Sequence, residues 1–254
     1  MKIWRILVIS LAGLANAAGA PLDFTAQIAD SEAQFHGEKT VVLLYDVGNR
    51  KTVSATPAAG EVKFQIASLI KPIIIDEAIR RQAVAWDSII DCNDGQLPVD
   101  GRILRDMVPL GKLPITEVLA TRSNIGALKM LGKIGESAVR ERLNAADVTG
   151  GRNSYEYAVG WGIVVSADQA VRLYALLQKE TREKLSQPYL STGLLDADLD
   201  HRKYFPCALG FVEYDGRPHL LLVGMVNPHP VYYAGKTAKP LWLGIAAILG
   251  DVQK

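Results

Sequence analysis

The sequence has almost no excess charge, few cysteines and no interior segment long enough for a transmembrane helix. Lys and Arg number 28 against 27 Asp and Glu, and the basic residues are scattered, which argues against a nucleic-acid-binding surface. Neither Cys92 nor Cys207 has a histidine at metal-ligand spacing. We therefore expect no metal site, no cofactor and no thiol nucleophile.

Internal repeats, low-complexity tracts and linker-like changes of composition are also missing, as expected for an ordinary globular chain with 49% hydrophobic residues. No Gly-x-Ser-x-Gly pattern indicates a nucleophile elbow, although a Ser-His-Asp triad stays an alternative. The histidines are isolated in the sequence, and we interpret all of them as surface or turn residues: His36, His201, His219 and His229.

The N-terminus has the layout of a secretory signal peptide. Residues 1–5 are basic, residues 6–14 are apolar and residues 15–17 are small. This pattern predicts cleavage after residue 17 and a mature chain, residues 18–254, in the periplasm or another extracytoplasmic space. The alternative is an uncleaved membrane anchor, for which the apolar run is short. Export permits disulfides, so Cys92 and Cys207 either pair or remain buried thiols.

Ser68 and Lys71 lie three positions apart, directly before the apolar run Ile73-Ile74-Ile75. In a helix, this spacing places the hydroxyl and the amine on one face. Pro72 fits the first turn of such a helix, where amide hydrogens have no intrahelical partner. A buried lysine can lose its proton near neutral pH and activate the serine as a nucleophile. The alternative is that Ser68 only caps the helix while Lys71 extends into water.

Strand patterns occur at both ends of the chain, with helical patterns between them. This order predicts a single α+β domain over residues 18–254, whose antiparallel sheet joins the two ends of the chain and is flanked by helices. The predicted strands are 40–47, 51–55, 208–214 and 220–226, with a hairpin at 215–218. The predicted helices are 68–79, 116–131 interrupted at 121–124, 137–144, 166–177 and 240–249, with 57–60 a loop and 160–165 extended.

Several segments, in order, resemble the transpeptidase domain of penicillin-binding proteins, the serine acyl-transferases that also include the serine β-lactamases. Residues 64–72 resemble the nucleophile segment, with Ser68 and Lys71 in the Ser-x-x-Lys positions. The likeness covers nearly all of the mature chain. It implies a penicillin-binding protein/β-lactamase-like fold with an all-helical lobe, and acylation of Ser68 by a D-alanyl-D-alanine peptide. The other similar segments are 87–106, 116–126, 160–170, Asn227-Pro228 and Tyr232-Tyr233.

The second motif of the family, Ser-x-Asn, reads Arg122-Ser123-Asn124 when aligned on Asn124. Arginine thus replaces a serine that relays protons in the family, and a guanidinium cannot accept a proton. Near Lys71, the charge of Arg122 would lower the pKa of the amine, which either assists a base or marks a lost site. The alternative interpretation is that the Arg122 side chain points to solvent. Ser123 could substitute only if the helix were rotated, while Asn124 and Arg122 are expected to bind substrate.

The third motif, Lys-Thr-Gly on the strand that lines the site, has its best-placed candidate in Ser191-Thr192-Gly193. Thr192 and Gly193 fit as substrate-binding residues, whereas Ser191 replaces the cation that holds the substrate carboxylate in the family. An ordinary turn is the alternative interpretation, and Lys203-Tyr204-Phe205 is a further candidate. We reject Lys236-Thr237 because two strands and a helix should follow the motif, and only a helix follows Lys236.

These patterns support three hypotheses. The first is a serine D,D-transpeptidase or carboxypeptidase that acts on peptidoglycan stem peptides through an acyl-Ser68 intermediate. The second is a catalytically degenerate relative that serves as an envelope binding or assembly module, which the replacements at Arg122 and Ser191 favour. The third is a β-lactamase, for which no deacylating base can be named. The expected ligands are peptidoglycan peptides or β-lactams, with an envelope protein as a further partner and no nucleic acid.

Overall fold

The computed structural model of the chain describes residues 22–185, 187–195, 203–230 and 233–250. The predicted signal peptide, His201 and Tyr232 lie outside these ranges, and the assignment of residues 18–254 to a single domain stays a prediction. Within the described ranges, no helix combines the length and the apolar character needed to cross a bilayer.

The described residues form strands at both ends of the chain, with most of the helices between them. The strands are β1 (Lys39–Asp46), β2 (Lys51–Ala55), β3 (Lys63–Gln65), β4 (Ile89–Asp91), β5 (Gln96–Val99), β6 (Arg102–Arg105), β7 (Lys112–Pro114), β8 (Val164–Ser166), β9 (Tyr189–Leu194), β10 (Tyr204–Tyr214) and β11 (Arg217–Val226). The α-helices are α1 (Thr25–Phe35), α2 (Pro57–Glu61), α3 (Ile70–Arg80), α4 (Ile115–Thr121), α5 (Asn124–Ile134), α6 (Glu136–Asn144), α7 (Ser154–Val159), α8 (Ala167–Ala175), α9 (Lys179–Lys184) and α10 (Ala238–Ile248).

A five-stranded antiparallel sheet in the order β2-β1-β11-β10-β9 joins the two ends of the chain, as predicted. β1 pairs along its whole length with β11, so that Val42 lies opposite Val223. The predicted hairpin is also present. Its turn consists of Asp215 and Gly216 alone, both at positive φ, which is the geometry that favours Asp-Gly in tight hairpins.

Both faces of the sheet are covered, which explains the continuous apolar run in β1. Val42 and Leu44 face a core shared with α1 and α10, where the Trp242 indole donates to the Leu221 carbonyl at 2.9 Å. Val41 and its alternate neighbours face the larger core shared with the other helices. The predicted α+β fold, an antiparallel sheet flanked by helices, is therefore confirmed.

The helical lobe is built around α3, which packs against α5, α6 and α7. Four isoleucines in the first half of α3 are fully buried, which explains the apolar residues around Lys71: Ile70, Ile73, Ile74 and Ile75. Between α3 and α4, where we predicted only loops and turns, the chain also forms two small two-stranded sheets, β4–β7 and β5–β6. These strands have three or four residues each, too few for a clear alternating pattern.

Two local predictions were wrong. The predicted loop at 57–60 is helix α2, which begins at Pro57, a residue well suited to the first position of a helix. The predicted extended stretch at 160–165 is mostly a turn after α7, and only its last residues enter β8. The Ser166 cap of the next helix is confirmed, because the Ser166 hydroxyl accepts from the Gln169 amide at 3.2 Å.

His219 does not lie at the surface, contrary to the prediction. It is buried on β11, edge-on to Tyr214 with 5.4 Å between ring centroids, and its Nε2 lies 4.0 Å from an Asp46 carboxylate oxygen. Asp46 lies on the neighbouring strand β1, and the isolated residue in the sequence does not reveal this contact. His36 and His229 are exposed, as predicted.

Cys92 and Cys207 are both buried free thiols. The sequence left open whether the two cysteines form a disulfide or remain buried thiols, and in the structure they remain thiols. Burial raises the pKa of both thiols, so neither has the thiolate character of a reactive cysteine.

Candidate functional site

Ser68 lies in a short 3₁₀ turn, Ala67–Leu69, which leads directly into α3. Its side chain is partly exposed. Ala67 has a φ of +45°, a left-handed conformation that is costly for a residue with a side chain. The Ala67 amide donates to the Gly160 carbonyl at 3.2 Å, which holds the strained turn against the segment after α7. The predicted helix start is confirmed, with Ser68 in the turn that precedes it and Pro72 in its first turn.

Lys71 lies one helical turn after Ser68, and its side chain is almost entirely buried, with 3% of its surface exposed. Its Nζ donates to Ser68 Oγ at 3.0 Å and to the Arg122 carbonyl at 2.8 Å. The alternative in which Lys71 extends into water is therefore wrong. The hydroxyl and the amine face each other, as the three-residue spacing predicted.

Burial lowers the pKa of Lys71 from its ordinary value of 10.5 to about 7. The nearby Asp106 carboxylate partly opposes this effect, and the positive charge of Arg122 reinforces it. Near neutral pH, a substantial fraction of the amine is therefore uncharged. An uncharged amine at hydrogen-bond distance from a hydroxyl can accept its proton.

Arg122 ends helix α4 in the left-handed conformation, with a φ of +58°. This conformation turns its carbonyl oxygen towards Lys71. Its side chain is half-buried and reaches the sheet, where one guanidinium nitrogen donates to the Leu190 carbonyl of β9 at 3.2 Å. Arg122 therefore joins the helical lobe to the edge of the sheet, and the alternative in which it points to solvent is wrong.

The side chains of Ser123 and Asn124 are turned towards the segment that follows β6. The Ser123 hydroxyl donates to Asp106 at 2.7 Å and, as the cap of α5, accepts from the Gly126 amide at 2.9 Å. The Asn124 side chain donates to the Arg105 carbonyl at 2.5 Å. Ser123 thus points elsewhere, as expected. Within the described residues, neither side chain has a hydrogen bond to Ser68 or Lys71.

Asp106 is a residue that sequence reasoning missed. Its carboxylate receives hydrogen bonds from Ser123 and from the backbone amides of Asn124 and Ile125, which places a negative charge at the start of α5. It also influences the pKa of Lys71. Asp106 lies 17 positions before Ser123, so no local pattern in the sequence indicates this contact.

The edge strand β9 carries the candidate third motif and lies beside the Ser68 turn. Ser191 Oγ donates to the Ile66 carbonyl at 3.3 Å. At Gly193, a Cβ atom would lie 2.2 Å from the Gln65 carbonyl oxygen, so only glycine allows this close approach. Thr192, between them, has an exposed side chain. Ser191-Thr192-Gly193 is therefore part of a strand next to Ser68, and the alternative of an ordinary turn is wrong.

The other candidates for the third motif lie elsewhere. Lys203 immediately precedes β10, the neighbouring strand, and its Nζ contacts Glu38 at 3.1 Å. Lys236 and Thr237 immediately precede α10 and are not part of the edge strand. The rejection of Lys236-Thr237 is consistent with this placement.

Two cavities adjoin the two ends of β9. At the Leu190 end, a cavity of about 330 Å³ is lined by Arg122 together with Lys184 and Lys239. At the Leu194 end, a larger cavity of about 710 Å³ is lined by residues that include Gln65, Arg102, Glu156 and Trp161. In the part of the chain that the structure describes, no group of three or more His, Cys, Asp and Glu side chains is arranged to hold a metal ion.

No family profile matches the sequence, and no curated protein matches it either. Its structure is similar to that of the apo TP (transpeptidase) domain of penicillin-binding protein 3 from Burkholderia pseudomallei, with a TM-score of 0.74 and 17% sequence identity. This similarity covers 89% of the present chain and 91% of the other. The chain has the fold of a penicillin-binding protein transpeptidase domain. A peptidoglycan glycosyltransferase from Burkholderia ambifaria is also similar, with a TM-score of 0.73 and 16% identity over 89% of this chain and 92% of that one.

Within this transpeptidase-domain fold, the predicted site residues fall into three sets. Ser68 and Lys71 are in contact, and the Arg122 carbonyl completes the surroundings of the amine. Thr192 and Gly193 lie on the neighbouring edge strand. The Asn124 side chain donates to the Arg105 carbonyl and, among the described residues, has no hydrogen bond to Ser68 or Lys71. At these low identities, the similarity establishes the fold, and the roles of the individual residues are proposals.

Proposed function

We propose that the protein is a serine acyl-transferase that acts on peptidoglycan stem peptides, with Ser68 as nucleophile and Lys71 as general base. The observation that supports this proposal best is the 3.0 Å contact between Ser68 Oγ and a buried amine whose pKa is about 7. A serine hydroxyl is a weak nucleophile unless an adjacent base takes its proton, and Lys71 meets that requirement in both position and protonation state.

In the proposed reaction, Ser68 Oγ forms a bond to the carbonyl carbon of the D-alanyl-D-alanine amide while its proton passes to Lys71. The carbon–nitrogen bond of the tetrahedral intermediate then breaks, and the leaving D-alanine amine takes the proton from Lys71. The Ser68 backbone amide, which has no hydrogen-bond partner among the described residues, is suited to stabilise the oxyanion. Transfer of the acyl group to an amine gives transpeptidation, and transfer to water gives carboxypeptidase activity.

Covalent labelling with a fluorescent penicillin tests this proposal, because the probe acylates the same hydroxyl. We expect the wild-type chain to be labelled and Ser68→Ala to lose labelling completely. Ser137→Ala is a matched control, since Ser137 is an exposed serine on α6. Absence of label on folded wild-type protein, or label that persists in Ser68→Ala, would contradict the proposal.

A non-catalytic binding or assembly module in the envelope is the second candidate. The observation that favours it is the orientation of the second motif, in which Ser123 and Asn124 bind Asp106 and Arg105 rather than Ser68. Wild-type protein that folds but takes no label would support this candidate. Rapid turnover of nitrocefin would instead support a β-lactamase.

The proposed substrates lie outside the cytoplasm, which agrees with the signal peptide predicted from residues 1–17. We therefore propose an extracytoplasmic, periplasmic location, with peptidoglycan peptides or β-lactams as ligands. Detection of the mature chain beginning at residue 18 in an extracytoplasmic fraction would test the location independently of the chemistry.

A further inference from the structure

The larger cavity, at the Leu194 end of β9, contains a buried glutamine without a partner. Gln65 lines this cavity, and only 6% of its surface is exposed. Its backbone belongs to β3 and pairs with β8, but in the part of the chain that the structure describes its side-chain amide has no hydrogen bond. A buried carboxamide is normally paired, because burial without a hydrogen bond costs free energy. The Gln65 amide is therefore left to pair with a ligand that occupies the cavity.

A second group without a polar partner, the Arg102 guanidinium, lines the same cavity. It lies over two aromatic rings, at 5.3 Å from the Tyr155 centroid and 6.0 Å from the Trp161 centroid. Among the described residues, it has no hydrogen bond and no ion pair. Glu156, an acid that also lines the cavity, is instead paired with Arg152 at 2.7 Å. Arg102 therefore offers N–H groups, which only donate, to an acceptor on a ligand.

Trp161 gives the cavity an apolar wall. It lies between Gly160, which ends α7 with a φ of +69°, and Gly162, which has a φ of +68°. These two left-handed glycines form a tight turn that holds the indole near the surface, with 44% of the residue exposed. An aromatic ring offers a flat apolar area to a ligand, and the C–H face of a pyranose sugar is a surface of that kind.

The main chain beside the cavity does not favour an extended peptide as the ligand. Strand β9 pairs with β10 on one side, and on the other side Leu195, which follows β9, forms a bridge with Phe64. Among the described residues, β9 therefore has no free edge at this point to pair with a peptide backbone. A simple anion also fits less well. A carboxylate would satisfy Arg102, but it has no donor for the side-chain oxygen of Gln65.

We propose that this cavity binds a carbohydrate that carries an N-acetylated amino sugar. An acetamido group has a carbonyl acceptor and an N–H donor that point in opposite directions, which suits the donor groups of Arg102 and the acceptor oxygen of Gln65. The sugar ring then lies against Trp161. The cavity volume of about 710 Å³ is within the range typical of small-molecule sites. The glycan strands of peptidoglycan contain such sugars, but the proposal does not depend on acylation of Ser68.

Isothermal titration calorimetry of the full chain with two tetrasaccharides tests the proposal. Chitotetraose carries an acetamido group on each ring, whereas cellotetraose has the same linkages and a hydroxyl group in each of those places. We expect chitotetraose to bind roughly tenfold more tightly, because cellotetraose lacks the carbonyl acceptor for Arg102. Peptide-free glycan strands from peptidoglycan, titrated in parallel, distinguish this polymer from chitin-type glycans as the source of the sugar.

Two variants test the two kinds of contact. Gln65→Met keeps the length of the side chain without its polar atoms and should weaken chitotetraose binding by roughly tenfold. Trp161→Ala should weaken both tetrasaccharides, since it removes the ring that both contact. The matched controls, Gln96→Met and Tyr233→Ala, change exposed residues that do not line the cavity and should bind like the wild type. Urea unfolding identifies the variants that fold, and if Gln65→Met does not fold, Trp161→Ala decides the result.

The carbohydrate site would be overturned if folded wild-type protein bound no N-acetylated glycan or bound the two tetrasaccharides equally well. Unchanged chitotetraose affinity in folded Trp161→Ala would overturn it as well. Sugar binding and penicillin labelling are separate measurements. A protein that binds chitotetraose but takes no penicillin label would refute only the proposed acyl transfer, and the converse result would refute only the carbohydrate site.

Discussion

Lys71 is an amine that folding removes from water, and this ties the stability of the protein to its proposed chemistry. Its pKa is about 7 in the folded chain against an ordinary value of 10.5, so between these values the unfolded chain binds more protons. The free energy of unfolding therefore increases as the pH rises from about 7 to 10.5. Below about pH 7 the amine is charged in both states, and its burial then destabilises the folded state by the full amount. A base ready to act near neutral pH is obtained at the expense of stability.

The same titration predicts the pH dependence of Ser68 acylation. Because only the uncharged amine accepts a proton, the labelling rate should rise with pH to half of its plateau near pH 7, the pKa of Lys71. Arg122→Gln removes a positive charge that lowers this pKa, so the midpoint of the profile should move to higher pH. Stopped-flow or gel-based labelling rates between pH 5 and 9 measure it.

Arg122→Lys is the matched control because it keeps the positive charge, and its midpoint should stay closer to that of the wild type. A midpoint that does not move in Arg122→Gln, or that moves to lower pH, would contradict the assignment of Lys71 as the titrating base.

The nucleophile turn and the edge strand are positioned by glycines at which other backbone segments approach. At Gly160, which ends α7 with a φ of +69°, a Cβ atom would lie 2.2 Å from the Ala67 carbonyl oxygen. At Gly193, it would meet the Gln65 carbonyl at the same distance. The elements on either side of Ser68 can come this close only because both positions lack a side chain.

Gly160→Ala should destabilise the protein by at least about 2 kcal/mol, since it combines a left-handed conformation with a clash against backbone. It should also reduce Ser68 labelling, because the clash falls on the residue before Ser68. The matched control is Gly132→Ala on α5, where a Cβ atom meets nothing within 4 Å. That control should be neutral or stabilise by roughly 0.5–1 kcal/mol.

Urea unfolding measures both glycine variants. Equal stabilities for Gly160→Ala and Gly132→Ala would show that the close approach at Ala67 is absent in solution.

A buried polar network connects the helical lobe to the segment that leads into β9. Asp76, on the inner side of α3, is fully buried and accepts from Arg142 of α6 at 2.7 Å and from Thr181 of α9 at 2.5 Å. It also accepts from the Gln178 backbone amide at 2.9 Å. Helix α9 is followed closely by β9, so this one carboxylate joins the helix behind Ser68 to the chain that forms the opposite wall of the site.

Asp76→Asn should therefore destabilise the whole protein by about 3 kcal/mol, because it leaves the largely buried Arg142 facing an amide instead of a carboxylate. The matched control is Asp147→Asn, which removes an exposed carboxylate from its pair with the half-buried Arg172 and should cost less than about 1 kcal/mol. Urea unfolding monitored by circular dichroism compares the two. Similar losses for both variants would contradict the role of the buried network.

Much of the fold was predictable because it depends on local patterns. The apolar run of β1, the Asp215-Gly216 turn and the break between α4 and α5 each follow from the preferences of adjacent residues. The predictions that were wrong also have physical reasons. Helix α2 has only five residues and lacks a readable period, and His219 is buried beside Asp46 of β1, which is far away in the sequence.

The sequence by itself placed Ser68 and Lys71 on one face, because residues three apart in a helix share a face. It left open whether the amine points towards Ser68 or into water. Only the tertiary structure decided the pKa of that amine. It also decided the hydrogen bond of the Arg122 side chain to the Leu190 carbonyl of β9 and that of the Asn124 side chain to the Arg105 carbonyl. Lys71 and the Arg122 carbonyl are 51 positions apart, and Arg122 and Leu190 are 68 apart. Such contacts depend on how whole elements pack, and burial in that packing sets the charge state on which the proposed chemistry depends.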